Sequence, residues 1–306
     1  MRVFVAGGTG FVGSHVVEAL VREGHEVRLL LRPGSVGKVT SITREKVEFI
    51  HGDAFDDGPL REGIRGCHGV INLIGIIRDF PSWGITFEKI HFEATRNIAR
   101  AAERVGVNRF LQMSALGVDW DEKTEYFRTK WKADQYLIDH DFDYTIFRPS
   151  VIFGDGDGFV STLEALIRRS PVLVVPGDGT YPLQPVSVSD VASLFSRALK
   201  EEGTGERIFN VTGPKVYSYR EILTLLSSSM GKRRVFIHLP LNLIIPFVIF
   251  LERIRSFPLT YDQLYMLTRG SKGDNRRIRE RFGIPLESFE DYLNARFGDP
   301  GEKEVS

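Results

Sequence analysis

A serine, a tyrosine and a lysine in this chain are spaced in a way that could move a proton. Tyr126 and Lys130 lie four residues apart in a stretch with helical periodicity, so both side chains would share one helix face. A phenol with a free pKa of about 10 is a poor base near neutrality, and a neighbouring ammonium would lower that pKa. Ser114 follows an apolar run, and its hydroxyl could polarise a carbonyl. We therefore predict Tyr126 as the acid or base, Lys130 as its activator and Ser114 as the carbonyl-polarising donor.

A glycine-rich turn near the start of the chain predicts a dinucleotide site. The segment Gly7-Gly8-Thr9-Gly10-Phe11-Val12-Gly13 follows an apolar run and opens a helical stretch. Glycine there permits a tight turn, lets a pyrophosphate approach the backbone and lets the helix pack on the strand. The unpaired N–H groups at the helix start would then face the phosphates. The predicted binding residues of this loop are Gly7, Thr9, Gly10, Phe11, Val12 and Gly13.

The residue after the second predicted strand indicates which nucleotide binds. Folds that bind NAD usually have Asp or Glu there, which accepts from the ribose 2′-hydroxyl. This chain has Arg32, which cannot accept a hydrogen bond but pairs well with a 2′-phosphate, and Ser35 and Lys38 could add donors. We therefore predict NADP as the cofactor, with NAD the less favoured choice. The alternative is that Arg32 is only a solvated residue at a strand end.

A carboxylate also follows the third predicted strand. Asp53, with Ala54 beside it, lies where a carboxylate could accept from the adenine amino group. The alternative is that Asp53 caps the following helix. Both interpretations stay open on the sequence.

Alternating apolar runs and helical stretches predict the sheet that would position these residues. The predicted strands are Val3–Ala6, Val27–Leu31, Val47–Ile50, Val70–Ile74, Arg109–Met113 and Tyr144–Phe147, and the clearest helices are Phe11–Arg22, Glu88–Val105 and Glu122–His140. This alternation is typical of βαβ units with a parallel sheet buried on both faces. Since crossovers are right-handed, we predict an α/β fold with a doubly wound parallel sheet, a Rossmann fold, and a smaller C-terminal substrate lobe.

The regular alternation of predicted strands and helices ends after Arg148-Pro149. Further helices are predicted at Phe159–Arg169, Val191–Glu201 and Tyr219–Met230, and short strands near Val172–Val175 and Arg207–Val211, without a regular repeat. We therefore assign residues 1–150 to a dinucleotide-binding domain and residues 151–306 mainly to a substrate lobe. Segments near 185–215 are expected to return to the first domain.

Composition limits the class of partner. The 306 residues include 40 Lys and Arg and 40 Asp and Glu, a balance that gives no support to a nucleic-acid partner. Cys67 is the single cysteine, and the histidines show no metal-ligand spacing, so we predict no disulfide and no metal site. The start of the chain lacks the pattern of a secretory signal, and we expect a cytoplasmic protein.

One uncharged segment could contact a membrane. Val235–Leu251 contains no formally charged residue, and basic residues flank it at Lys232–Arg234, Arg253 and Arg255. Its prolines and its length of 17 residues argue against a membrane span, which needs about 20 apolar residues. We predict a buried helix that covers the substrate lobe. The alternative is that residues 235–255 dock on an anionic membrane surface or on a protein complex.

Taken together, these motifs resemble the extended and atypical short-chain dehydrogenase/reductases, a family similar to the NAD-dependent epimerases and dehydratases. The resemblance covers about residues 1–215 and rests on the glycine loop, Asp53, Asn72–Gly75, Ser114, Tyr126 and Lys130 with Asp134, Arg148–Gly154 and Pro185–Ala192. It implies that the backbone of Leu73, Ile74, Gly75, Pro149, Val151 and Ile152 lines the ribose and nicotinamide, and Lys130 can also hold that ribose. Within the family, the chain looks most like the dinucleotide-binding accessory subunit of respiratory complex I and its bacterial relatives.

Two functions remain open on this evidence. The first is an NADP-dependent oxidoreductase or sugar-nucleotide-type epimerase or dehydratase that acts on an unidentified small molecule. The second is a nucleotide-binding accessory or assembly protein of a membrane-associated complex, without turnover. Hydride exchange with a substrate would separate the two.

Overall fold

Seven parallel strands form the central sheet. The computed structural model describes residues 1–35, 46–119, 123–201, 204–254, 257 and 259–298, so Lys38 and Arg255 lie outside the described residues. The strands are β1 (Arg2–Ala6), β2 (Glu26–Leu31), β3 (Val47–His51), β4 (Gly69–Asn72), β5 (Arg109–Met113), β6 (Asp143–Pro149) and β11 (Arg207–Val211). Their order is β11-β6-β5-β4-β1-β2-β3, and each neighbouring pair is parallel. This order is typical of a doubly wound nucleotide-binding sheet, and the predicted fold class is confirmed.

The helices predicted from Phe11, Glu88 and Glu122 are present in this unit, whereas the helix predicted at Val191–Glu201 runs from Val188 to Ala198 and the helix Arg276–Phe282 was not predicted. The helices of this unit are α1 (Phe11–Arg22), α2 (Asp57–Ile64), a π-helical segment (Glu88–Glu93) that continues into α3 (Ala94–Arg104), α4 (Glu125–Ile138), α6 (Val188–Ala198) and α10 (Arg276–Phe282). The strand predicted over Val70–Ile74 ends at Asn72, although the Leu73 N–H still donates to the carbonyl of Ala6, the last residue of β1. This first unit comprises Met1–Pro149, Val188–Val211 and Arg276–Gly283.

Aromatic packing explains why late segments of the chain belong to the first unit. The ring of Phe147 on β6 contacts Phe195 on α6, Phe209 on β11 and Phe282 on α10, with centroids 4.8, 5.8 and 6.0 Å away. All four side chains are buried. Burial of such rings contributes a large share of core stability, so these contacts hold the three late elements on the sheet.

The second unit comprises Ser150–Ser187, Thr212–Asn275 and the chain from Ile284 onward. Its described residues form three two-stranded sheets, which pair β7 (Ile152–Phe153) with β10 (Val186–Ser187), β9 (Pro182–Leu183) with β12 (Tyr217–Ser218), and β8 (Val172–Pro176) with β13 (Val235–Leu239). Its helices are α5 (Gly158–Arg169), α7 (Tyr219–Ser229), α8 (Leu241–Leu251), α9 (Tyr261–Arg269) and α11 (Phe289–Phe297). Its core packs around Phe153, Phe289 and Ile222.

The prediction that the uncharged segment is a buried helix is wrong. Pro240 separates β13 from α8, and the α8 side chains of Leu243, Phe247 and Phe250 are 64%, 62% and 68% exposed. Only Val248 of this helix is fully buried. Apolar residues surround α8 on every side, whereas the unit covers only the side that carries Val248. No helix in the described part of the chain is long and apolar enough to cross a membrane.

Candidate functional site

The glycine loop between β1 and α1 lies tightly against neighbouring backbone. Gly7 has a φ of +82°, and a Cβ there would lie 2.7 Å from the Leu73 carbonyl carbon. A Cβ on Gly13 would lie 2.1 Å from the Gly7 carbonyl oxygen, so neither position admits a side chain without backbone movement. Gly10 is the N-cap residue of α1, and no side chain caps this helix among the described residues. The first N–H groups of α1 are therefore suited to hold an anion.

The loop after β4 is held beside the glycine loop. The Leu73 N–H donates to the Ala6 carbonyl at 2.9 Å, and the Ile74 N–H donates to the Asn72 side-chain oxygen at 3.1 Å. The amide nitrogen of Asn72 donates to Thr95 and to Gln112, each at 3.0 Å. Asn72 thus fixes the backbone path that brings Gly75 to the carboxyl edge of the sheet.

The two strand-end residues that were predicted to contact the nucleotide are accessible. Arg32 is exposed directly after β2, and its carbonyl accepts from the Ser35 N–H at 3.1 Å, which closes a turn. Asp53 is half-buried after β3. Asp56, not Asp53, is the N-cap residue of α2, so the capping alternative for Asp53 is wrong. Ala54 is buried, and its carbonyl accepts from the Asn97 side chain at 3.3 Å.

Lys130 projects from α4 to the edge of the sheet between two strand ends. Its side chain is buried, and Nζ donates to the Met113 carbonyl at 3.1 Å. A Cβ on Gly75 would lie 3.1 Å from the same Nζ, so the lysine occupies the space above this glycine. Burial lowers the pKa of Lys130 to about 8, against an opposing effect of Asp134. The ammonium therefore lies where a ligand at Gly75 would meet it.

Tyr126 differs from its predicted state. Its ring makes edge-to-face contacts with Phe87, His91 and Phe127, with centroids 5.8, 5.2 and 5.3 Å away. Burial among these rings raises the pKa of Tyr126 to about 12. The predicted lowering of this pKa is wrong, because burial of the phenol disfavours its charged form and shifts the pKa in the opposite direction. The phenol is therefore protonated at neutral pH.

Ser114 lies at the expected strand end, but its hydroxyl proton is used in a hydrogen bond to Asp134. Its hydroxyl donates to Asp134 Oδ2 at 2.8 Å, and Arg148 donates to the same oxygen from Nη2 at 2.8 Å and from Nε at 3.0 Å. Burial raises the pKa of Asp134, opposed by Arg148, Ser114 and Lys130. The second carboxylate oxygen is buried with no hydrogen-bond partner among the described residues. In this arrangement Ser114 cannot also donate to a substrate carbonyl.

His91, a buried histidine, joins α4 to the loop after β4, and the sequence did not predict a role for it. His91 Nδ1 is hydrogen-bonded to the Thr129 hydroxyl at 2.9 Å, and that hydroxyl also lies 2.8 Å from the Glu125 carbonyl oxygen. His91 Nε2 lies 3.1 Å from the Ile76 backbone nitrogen and 3.0 Å from the Ile76 carbonyl oxygen, so the Ile76 backbone is its partner in either tautomer. Burial and the nearby Lys130 hold the pKa of His91 well below its usual range, so the ring is neutral. His91 lies in the π-helical segment, a rare form that often marks functional sites.

The structure brings some predicted residues together and separates others. Tyr126, Lys130, Ser114 and Gly75 all belong to the first unit and to the carboxyl edge of its sheet, and Pro149 ends β6 in that unit. Val151 and Ile152 belong to the second unit, so their contact with the nucleotide stays a prediction. The Asp134–Arg148 ion pair left no signal in the spacing, because it joins α4 to the strand that follows it, 14 residues further along the chain.

A parallel sheet in this order, with a glycine-rich loop at its carboxyl edge, defines a Rossmann-type dinucleotide-binding protein. Residues 7–202, well over half of the chain, match the family described as NAD(P)H-binding. The chain belongs to this family. The predicted resemblance to the short-chain dehydrogenase/reductases and to the complex I accessory subunit is confirmed.

Individual relatives agree with this assignment. The chain is 28% identical to the mitochondrial NADH-ubiquinone oxidoreductase 40 kDa subunit of Neurospora crassa, over 83% of this chain and 67% of that protein. It is 29% identical to the chloroplastic divinyl chlorophyllide a 8-vinyl-reductase of Oryza sativa, over 78% of this chain and 61% of that protein. The chain thus spans about three fifths to two thirds of the length of several curated relatives that it matches.

Solved structures support the fold. An NADPH-dependent quinone oxidoreductase from Escherichia coli, solved with NADPH, superposes with a TM-score of 0.79 over 96% of this chain and 99% of that chain. The sequence identity is 15%, so the likeness concerns the fold alone.

Proposed function

We propose that this protein is an NADP(H)-dependent oxidoreductase that works in the reducing direction on a small carbonyl or conjugated substrate. The observation that carries the proposal is the pair Tyr126 and Lys130, buried on one face of α4 at the edge that also holds the glycine loop. The reductase named among the relatives is compatible with this activity.

The residues present fit a nicotinamide nucleotide phosphate. The uncapped start of α1 offers N–H groups to a pyrophosphate, and Gly7 and Gly13 carry no side chain that could block its approach. Arg32 offers an exposed guanidinium to a 2′-phosphate. Lys130 Nζ, beside Gly75, offers a hydrogen bond to the nicotinamide ribose.

The protonation state of Tyr126 suits this residue to a role as proton donor. When bound, the reduced nucleotide supplies a hydride, which carries two electrons to the substrate. The developing oxyanion then needs a proton, and a phenol with a pKa of about 12 is fully protonated and positioned in a buried site. Solvent would restore that proton once the product has left. An epimerase or dehydratase needs the same phenol as a base in its oxidation step, which a raised pKa disfavours.

The hydrogen bonds that Ser114 and Lys130 already make favour a second function, nucleotide binding without turnover. Ser114 donates to Asp134 and Lys130 donates to Met113, so no serine–tyrosine–lysine proton relay is formed among these residues. An accessory protein that binds the nucleotide without turnover needs no relay. The relative that is a subunit of NADH-ubiquinone oxidoreductase is compatible with such a function.

Transfer of deuterium tests the two functions directly. The protein is incubated with NADPH labelled at C4 and a panel of aldehydes, ketones, quinones and enones, and the products are examined by mass spectrometry. We expect label in one substrate class, and we expect Tyr126→Phe to lower its rate by about 10²–10⁴-fold while NADPH affinity is unchanged.

Tyr219→Phe is the matched control. Tyr219 is a buried tyrosine of the second unit whose pKa burial also raises to about 12, so this change removes a similar hydroxyl elsewhere. We expect wild-type transfer in this variant. Tight NADPH binding with no label in any substrate would contradict the reductase proposal and favour the accessory function.

A further inference from the structure

One face of α8 carries large apolar side chains into solvent. Leu243, Phe247 and Phe250 follow the spacing i, i+4 and i+7, so they form one stripe along the helix. Each is more than half exposed, whereas Val248, on another side of the helix, is buried in the unit. Single exposed apolar residues need no explanation, but a contiguous stripe marks an interaction surface.

The strand before α8 adds a second apolar surface. β13 and β8 are parallel, and their register pairs Val235 with Val172 and Ile237 with Val174. All four side chains are exposed, while the alternate residue Leu173 is buried. The segment that contains β13 and α8 therefore shows apolar side chains to solvent on both of its elements.

Cations flank this uncharged segment. Lys232 and Arg233 lie exposed before β13, and Arg253 lies exposed after α8. No ion pair joins any of the three to a carboxylate within the described ranges. An apolar protein partner would leave these charges unmatched, whereas an anionic lipid surface would match both the stripe and its flanks.

Length decides how such a segment would meet a lipid bilayer. α8 has 11 residues, which corresponds to about 16 Å of helix, against about 30 Å for the hydrocarbon core. A helix of this length can lie in the interface but cannot cross it.

We propose that the second unit binds the surface of an anionic membrane, with the α8 stripe inserted at the level of the headgroups and Lys232, Arg233 and Arg253 against lipid phosphates. This docking is independent of whether the protein turns over a substrate.

Cosedimentation with vesicles tests the proposal on the full chain. The vesicles are phosphatidylcholine alone or a mixture of phosphatidylcholine and phosphatidylglycerol. We expect binding to the mixed vesicles, weak binding to the neutral ones, and loss of binding as salt rises because exposed charges are screened. Phe247→Ser/Phe250→Ser should abolish sedimentation. Neutralising each flanking cation to Gln should weaken binding about fivefold.

Matched controls keep the result interpretable. Ile77→Ser/Trp83→Ser removes two exposed apolar side chains from the first unit and should sediment like wild type. Phe250→Trp should show a fluorescence blue shift with mixed vesicles, which reports insertion even if the serine variant folds poorly. Equal binding to neutral vesicles, wild-type binding by the double serine variant, or no binding at all would overturn the proposal. Light scattering that shows a dimer dispersed by the double serine variant, without vesicle binding, would assign the stripe to a second copy of the chain.

Discussion

The two units of this protein place their unusual residues in opposite ways. The first unit buries polar groups: Lys130, Asp134, His91 and Ser114 all lie inside it. The second unit exposes apolar groups: of the fifteen large hydrophobic side chains exposed among the described residues, eleven belong to it. Both arrangements are unfavourable for an isolated, inert protein, because buried charges lose hydration and exposed apolar surface orders water.

The difference indicates what each unit meets. Buried ionisable groups with shifted pKa values cluster at sites that handle small ligands, since a dry site strengthens their interaction with a bound molecule. Exposed apolar stripes instead require an extended surface that covers them. This contrast is the basis for the proposals that the first unit binds a nucleotide and that the second unit meets a larger surface.

The largest expected effect comes from removing the buried carboxylate. Asp134→Ala leaves Arg148 and Ser114 without their acceptor, and breaking a buried pair in this way costs about 3–5 kcal/mol of unfolding free energy. Phe250→Ala removes a whole phenyl ring, but that ring is exposed, so we expect a change within about 0.5 kcal/mol. Urea unfolding followed by circular dichroism measures both.

Asp57→Ala is the control for the charge change. Asp57 forms exposed ion pairs with Arg61 and Arg104, and pairs of this kind contribute about 0–1 kcal/mol. If Phe250→Ala destabilised the protein as much as Asp134→Ala, the contrast between the units would be lost, because α8 would then be packed against the rest of its unit.

The sequence was sufficient for the parts of this molecule that local patterns determine. The glycine loop, the strand bounds and the helix bounds depend on residue spacing within about ten positions, and β5 was placed to the residue. The predicted NAD(P) site follows from the same local signal. Contacts between distant segments could not be read in this way: the addition of α10 to the first unit depends on Phe147 and Phe282, which are far apart in the chain.

The sequence predicted which residues lie at the site but not which hydrogen bonds they form. The spacing of Tyr126 and Lys130 places both on one helix face but does not say which acceptor the ammonium meets, and the Met113 carbonyl captures it. The exposure of α8 was missed for a related reason. A helix that is apolar on every side has no periodicity that shows which side the protein covers.

An intermediate effect should appear in the pH dependence of stability. Burial lowers the folded-state pKa of Lys130 to about 8, from 10.5 for a free lysine. From about pH 8 upwards the unfolded chain holds a proton that the folded protein has lost, so this residue makes stability rise, by at most about 1.4 kcal/mol per pH unit. Below pH 8 both states are protonated, and the buried charge is fully unfavourable. Lys130→Met should therefore be stabilised relative to wild type below pH 8, and the gap should narrow towards pH 10.5.

The difference in unfolding free energy between wild type and Lys130→Met isolates the contribution of Lys130. Tyr126 and Tyr219, whose pKa values are raised to about 12, lower stability above pH 10 in both proteins and cancel in the difference. Lys132→Met removes an exposed lysine from the same helix and supplies the baseline. A gap that stays constant with pH would show that Lys130 is well solvated in the folded protein.

The smallest expected effect concerns Arg32, the first unit's exposed counterpart to Phe250. Its guanidinium lies in solvent, so Arg32→Asp should leave the unfolding free energy within about 0.5 kcal/mol of wild type. Its role would appear only with the nucleotide bound. We expect wild type to bind NADPH about tenfold more tightly than NADH, and we expect the variant to bind NADH more tightly than NADPH. The reason is that a carboxylate repels a 2′-phosphate but accepts a hydrogen bond from a 2′-hydroxyl. Fluorescence titration with both nucleotides measures this ratio.

Arg22→Asp makes the same charge change at the exposed end of α1 and should not alter the ratio of the two affinities. Discrimination that followed net charge in both variants, or a wild-type preference for NADH, would remove Arg32 from the site and leave the first unit with only its buried groups as the source of its ligand specificity.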